Sequence, residues 1–186
     1  MNFTKLYEEI DRRLVSGRVI LAIEGGSASG KSTLSWLLAN KYDCTTIHMD
    51  DFFLQKEQRN NNRLNEVGGN IDKERFIDEV LPCLNNDLLI YRKFDCKTMS
   101  FGETIKEPLK KLIVIEGVYS MHPEFKKYYD LSVFLDISKE LQKERILKRN
   151  SSNFVKRFFE EWIPMEEKYF DKTNIKDKCD LIICVK

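Results

Sequence analysis

The chain has 186 residues, 42% hydrophobic and 33% charged, which is enough apolar side chain for one real core and argues against a disordered or low-complexity chain. Its 31 basic and 30 acidic residues leave a net charge of +1, so no global basic field exists to hold a nucleic-acid backbone. No apolar run approaches the ~18 residues of a membrane span, and the first residues, MNFTKLYEEIDRR, lack a signal-peptide core. Five cysteines without a CxxC pair read as free thiols of a reducing cytoplasm. The expectation is one cytoplasmic domain over residues 1–186, with no nucleic-acid or membrane partner.

Phe3, Leu6, Tyr7, Ile10 and Leu14 recur at helical spacing and predict an amphipathic helix over 3–14. RVILAIEGG, beginning at Arg18, reads as a buried strand running into a tight turn, and Lys31–Asn40 as a helix. Cys44–His48 is a second strand, ending at Met49-Asp50-Asp51. Residues 54–70 are polar and rich in Asn and Gly, a long loop of the kind that is usually functional or mobile. Ile71–Leu84 reads as a helix, with Phe76, Ile77, Val80, Leu81 and Leu84 on one face. Asp87–Phe94 and Lys111–Glu116 read as strands on either side of a hairpin at 95–108. A strand at Leu131–Asp136 follows, then a helix at Ser138–Arg149, a break at 150–153, a charged helix over Phe154–Phe170 and a last strand at 180–185. This alternation predicts an α/β fold: a parallel sheet of about five strands flanked by helices, with a mobile lid near 145–160. Phe158, Phe159 and Trp162 fit core packing first and a contact between subunits of a homo-oligomer second.

One stretch carries chemistry. Gly25-Gly26-Ser27-Ala28-Ser29-Gly30-Lys31-Ser32 matches GxxxxGK[ST], and it follows a predicted strand and opens a predicted helix. Small residues let the backbone curl until successive N–H groups point at phosphate oxygens, and the helix start adds its positive dipole end. Lys31 is placed for the β- and γ-phosphates, the Ser32 hydroxyl for Mg²⁺, and Thr33 for the α-phosphate. The motif is a P-loop, and it predicts a P-loop NTPase fold that binds a nucleoside triphosphate.

Other residues follow from that site. Glu116 ends the apolar strand KLIVIE, where a carboxylate holds the Mg²⁺ shell or polarises a nucleophile. Asp50 and Asp51 have diverging side chains, so only one faces the phosphates; there it accepts the proton of an attacking hydroxyl. Arg145 and Arg149 share a helix face, with Arg157 nearby, and supply the cations that cover a transferring phosphoryl group. A GTPase switch is disfavoured: no DxxG occurs, and Asn40-Lys41-Tyr42-Asp43, although it spells NKxD, closes the P-loop helix far too early to read a base.

Taken together, GGSASGKST (25–33), HMDDFF (48–53), GGNID (68–72), VIEGVYS (114–120), FLDIS (134–138) and RILKRN (145–150) resemble the uridine kinase family. That family belongs to a P-loop kinase group that also holds nicotinamide riboside kinases and phosphoribulokinases. The resemblance runs from about residue 18 to the C-terminus. It implies an ATP- and Mg²⁺-dependent kinase acting on a sugar hydroxyl of a small-molecule acceptor, commonly the 5′-OH of a nucleoside. In that reading Lys31, Asp50, Arg145 and Arg149 are catalytic, Asp50 being the general base. Ser32, Asp50 and Glu116 surround the metal, and Arg149 and Arg157 reach the nucleotide from the lid. Asp50, Phe53, Asp72, Phe94, Met99 and Arg145 line the acceptor, with Asp72 on ribose hydroxyls. The DDFF segment, with Phe53, is closer to the nicotinamide riboside kinases. The hairpin departs from the pyrimidine pattern: Cys96 stands where uridine–cytidine kinases carry an aromatic residue, and Met99 where they carry a His. Nicotinamide riboside, pantothenate and other non-pyrimidine acceptors therefore stay open.

Overall fold

The computed structural model describes residues 2–186. Helix α1 (Thr4–Leu14) leads into strand β1 (Val19–Gly25), the P-loop and α2 (Lys31–Lys41), followed by β2 (Cys44–His48). A 3₁₀ turn at Met49–Phe52 opens a long segment, which contains α3 (Asn61–Leu64) and leads to α4 (Lys73–Glu79). A hairpin of β3 (Leu88–Asp95) and β4 (Ser100–Pro108) precedes β5 (Leu112–Glu116) and β6 (Leu131–Ile137). Helices α5 (Lys139–Arg149), α6 (Ser152–Arg157), α7 (Ile163–Thr173) and α8 (Ile175–Lys178) lead to β7 (Leu181–Val185).

Five strands form one parallel sheet in the order β2-β5-β1-β6-β7. The two central strands β1 and β5 are buried along their whole length, which is why VILAIEG and LIVIE are nearly unbroken apolar runs. Alternation then divides the strand side chains between two cores. Leu21, Ile23, Val114 and Val133 pack with Leu6, Ile10, Leu34 and Leu38 of α1 and α2. Ala22, Ile113, Ile115 and Phe134 pack on the other face with Phe52, Phe76, Phe125 and Tyr169. In that second core, Phe76 stacks against Phe52 at 5.1 Å and Phe125 at 4.5 Å between ring centres.

The α/β architecture with a five-stranded parallel sheet agrees with the sequence expectation, and three local readings are corrected. The helix expected over Ile71–Leu84 ends at Glu79 and continues as a 3₁₀ turn over Leu81–Asn85, because Pro82 has no N–H to give the helix ladder. The strand expected at Asp87–Phe94 leaves the main sheet. Residues 100–108, expected inside a connecting hairpin, are its antiparallel partner, with Phe94 opposite Phe101 and the turn at 96–99. The segment 54–70 is not structureless. Asn60 caps α3 by accepting from the Arg63 N–H at 3.0 Å, and the Arg63 guanidinium binds Glu66, Glu74 and the Ile71 carbonyl.

The charged helix begins at Ser152 rather than Phe154 and runs to Thr173 through a π-helical turn at Phe158–Trp162. Pro164 follows that turn, and the wider coil relieves the clash of its ring with the carbonyl four residues earlier. Phe158 and Trp162 meet edge to face at 4.6 Å. Phe158, Phe159 and Trp162 are half-buried and belong to neither core, contrary to the core packing expected of them.

Phe76→Ala should destabilise the chain by about 3–5 kcal/mol, because it opens a cavity between two aromatic partners. Denaturant unfolding checks this; a loss below ~1 kcal/mol would contradict the packing described.

Candidate active site

Strand register assembles the site. Ile23 of β1 lies beside Glu116 of β5, and Glu116 beside His48 of β2, so the P-loop, Glu116 and the 3₁₀ turn carrying Asp50 all leave the same edge of the sheet. The loop needs its glycines. Gly25 has φ +145°, and a Cβ there would stand 2.6 Å from the Leu135 carbonyl oxygen; Gly30 starts α2 in the left-handed region at φ +99°. Ala28 is also left-handed, at φ +62°.

Lys31 is buried, and its Nζ donates to the carbonyls of Gly25 at 2.8 Å and Gly26 at 3.0 Å, spanning the loop. The Ser32 hydroxyl donates to Glu116 Oε1 at 3.1 Å, and His48 Nδ1 meets the same oxygen at 2.7 Å. That contact raises the His48 pKa above its ordinary value, against the opposing effect of burial. Ser32, Glu116 and Asp50 offer the hard oxygen donors that suit Mg²⁺, which takes one or two carboxylates and completes its shell with phosphate and water.

The two aspartates separate as their geometry requires. Asp51 is committed to structure: its carboxylate accepts from Tyr91 Oη at 2.8 Å, and its carbonyl from the Arg75 guanidinium. Among the described residues Asp50 has no hydrogen-bond partner. Solvent reaches its side chain, but protein atoms crowd it. That desolvation, aided by Glu116 and opposed by Lys31, raises its carboxyl above the ordinary range.

The remaining expected residues are distributed unevenly. Arg145 Nη1 donates to the Ala28 carbonyl at 3.1 Å, so it touches the P-loop, whereas Thr33 is exposed on α2. Arg149 lies over the Phe158 ring at 5.7 Å, and Arg157 pairs with Glu161 at 3.4 Å and covers Trp162 at 4.7 Å. Both are thus engaged with side chains of residues 158–162 rather than with the loop. Asp72 is buried: it caps α4 through the Arg75 N–H at 3.1 Å and accepts from Gln58 Nε2 at 2.7 Å. It adjoins a cavity of about 490 Å³ lined by Leu54, Gln58, Asn60 and Arg63, among others. Phe53 and Phe94 meet edge to face at 6.4 Å; Met99 is half-buried at the hairpin turn with φ +56°, and Cys96 beside it is exposed.

Sequence reasoning missed His48, Glu24, Gln142 and Glu166. Glu24 is wholly buried at the end of β1 and accepts from the N–H groups of Gly25 (2.9 Å) and Met121 (3.0 Å) and from Tyr169 Oη (3.1 Å). A charge inside the apolar run VILAIEG was a visible signal. Gln142 and Glu166 sit in charged helices whose spacing marks nothing.

A P-loop at the end of β1, a carboxylate ending the adjacent strand and an unpartnered aspartate after β2 sit on one edge of a parallel sheet, the arrangement of a P-loop NTPase fold. Comparison with known proteins agrees. A uridine kinase of Clostridium botulinum (strain Kyoto / Type A2) is 25% identical over 141 residues, covering 70% of this chain and 66% of that protein. A uridine kinase of Shewanella sp. (strain ANA-3) is 30% identical over 133 residues, covering 63% and 62%. The match thus spans less than two thirds of the length of these relatives. The solved "Structure of a Possible Uridine Kinase from Bacillus stearothermophilus" superposes with a TM-score of 0.67 at 21% identity, over 97% of this chain and 100% of that one. No family model matches. In sequence and fold the chain is uridine kinase-like. No helix among the described residues is long and apolar enough to cross a membrane.

Burial pushes the Glu24 carboxyl up to about 7 from an ordinary 4.5, with its two backbone N–H partners and Lys31 opposing. Between those pH values the folded chain binds the extra proton, so stability falls as pH rises from about 4.5 to 7. The loss from this group is on the order of 3 kcal/mol and is complete above pH 7. Unfolding midpoints at pH 5 and pH 8 should diverge more in the native chain than in Glu24→Gln. Equal slopes would remove Glu24 from the account.

Proposed function

We propose that the chain is an ATP-dependent small-molecule kinase that transfers the γ-phosphoryl group to a hydroxyl of its acceptor, a nucleoside 5′-OH being the first candidate. The observation that carries this reading is the pairing of a complete P-loop with an unpartnered Asp50 beside Lys31 and Glu116. The loop N–H groups and Lys31 bind and orient the phosphates. Ser32, Glu116 and Asp50 would hold Mg²⁺, which adds positive charge at the phosphate oxygens. Asp50 accepts the proton of the acceptor hydroxyl as that oxygen attacks; burial raises its pKa, which makes its carboxylate a better base than an ordinary one. Arg145 covers the phosphates from α5, and Arg149 and Arg157 join it when the segment near 145–160 closes and excludes water. The acceptor lies against Phe53, Phe94, Met99 and Asp72.

A second reading of the acceptor is favoured by Cys96 and Met99. Neither can stack on or hydrogen-bond a pyrimidine as an aromatic residue and a His do, so the hairpin supports nicotinamide riboside, pantothenate or another non-pyrimidine alcohol as well as it supports uridine.

ADP release with ATP and Mg²⁺, measured against uridine, cytidine, purine nucleosides, nicotinamide riboside, pantothenate and simple sugars, tests both readings. Asp50→Asn should keep ATP binding and lose about two to four orders of magnitude in turnover, and Lys31→Ala should abolish it. Near-full turnover in Asp50→Asn would dismiss it as the base. Turnover only outside the pyrimidines would establish the second reading.

A further inference from the structure

The apex of the P-loop is held from outside, by the helices on either side of the lid segment. Glu166, in the first turn of α7 and 5% exposed, takes both donors of Ser27: Oε2 accepts the backbone N–H at 2.9 Å, and Oε1 accepts the hydroxyl. The Ser27 carbonyl is taken by Gln142 Nε2 of α5 at 2.9 Å, and the next carbonyl, of Ala28, by Arg145 Nη1 of α5 at 3.1 Å. Every polar group of Ser27 is therefore engaged by a side chain distant in sequence. Gly26 makes room for this clamp, because a Cβ there would stand 3.0 Å from Gln142 Nε2 and 3.6 Å from Glu166 Oε2.

Two features give the clamp a consequence for phosphate binding. Ala28 holds a left-handed conformation, at φ +62°, that a residue with a Cβ seldom adopts unless its neighbours fix it. The N-terminus of α2, at Gly30–Ser32, is a separate anchor whose N–H groups suit the inner phosphates whatever the apex does. The clamped residues, Ser27 and Ala28, precede that anchor on the loop and are held independently of it. The chain also runs from Gln142 and Arg145 on α5 through the segment 150–162 to Glu166, so both ends of that segment are tied to two adjacent loop residues.

We propose that Glu166 is a positioning residue that acts through Ser27: it fixes the loop apex in the conformation that receives a terminal phosphate, so that binding of a nucleoside triphosphate, but not of a diphosphate, depends on it. The proposal rests on the nucleotide-binding reading above and is independent of which acceptor is used.

The test measures binding of ADP and of a non-hydrolysable ATP analogue, each with Mg²⁺, to the native chain, Glu166→Ala, Glu166→Gln and Ser27→Ala, with thermal melting as a check on folding. Glu166→Ala should weaken the analogue by about tenfold or more and leave ADP within about twofold. Glu166→Gln should restore most of the difference, since its amide accepts from the Ser27 N–H and donates to the hydroxyl. Ser27→Ala, which keeps the N–H bond, should fall between the native chain and Glu166→Ala. Should Glu166→Ala not fold, the contrast between Glu166→Gln and Ser27→Ala carries the test: a Ser27→Ala chain that binds the analogue as the native chain does would overturn the proposal. Equal weakening of both nucleotides, or none, would make Glu166 merely structural. A native chain that binds neither nucleotide would overturn the nucleotide reading and this proposal with it. One that binds both but phosphorylates no acceptor would overturn the kinase reading alone.

Discussion

The structure depends on the register of three parallel strands. Ile23, Glu116 and His48 lie side by side across β1, β5 and β2, so whatever follows those strands is forced to share one edge of the sheet. A single-residue slip would exchange the two faces of β1 and put Leu21 and Ile23 into the wrong core. The hydrophobic pattern that separates the two cores is therefore also what brings Lys31, Glu116 and Asp50 together. Close approach of β6 completes the arrangement, since only glycine at position 25 leaves space for the Leu135 carbonyl.

Around that edge the dominant issue is charge. Lys31 is a buried ammonium that gives two of its donors to loop carbonyls, and its positive field reaches Glu24, Asp50 and Glu166. Desolvation outweighs that field at all three carboxylates and shifts each upward, with Glu116 and Asp51 adding to the shift of Asp50, and Asp50 to that of Glu166. Asp51, one residue from Asp50, turns away to Tyr91 of the hairpin.

The region after β2 is built differently. It lies off the sheet, on the 3₁₀ turn after β2, the capped turns of 54–70 and a separate two-stranded hairpin. These parts are held by side chains: Asn60 on α3, Arg63 on Glu66 and Glu74, Asp72 on α4. Such a region can be recut without disturbing the sheet, which fits a hairpin whose turn carries Cys96 and Met99 beside an intact P-loop sequence.

The sequence by itself determined the sheet, the P-loop and the roles of Lys31, Ser32 and Glu116 as neighbours, because each rests on a local signal: an apolar run, a glycine spacing, a carboxylate at a strand end. Side-chain alternation limited Asp50 and Asp51 to one carboxylate facing the loop, and the family resemblance pointed to Asp50. Tertiary structure ties Asp51 to Tyr91 and Arg75, which lie far along the chain from both aspartates. It likewise decided that residues 88–95 pair with 100–108 rather than with the sheet, since a short alternating strand has no mark of its partner. Glu166 is the plainest case. In sequence it is one acidic residue in a charged helix, and only the packing of α7 against the loop, 139 residues away along the chain, makes it the partner of Ser27.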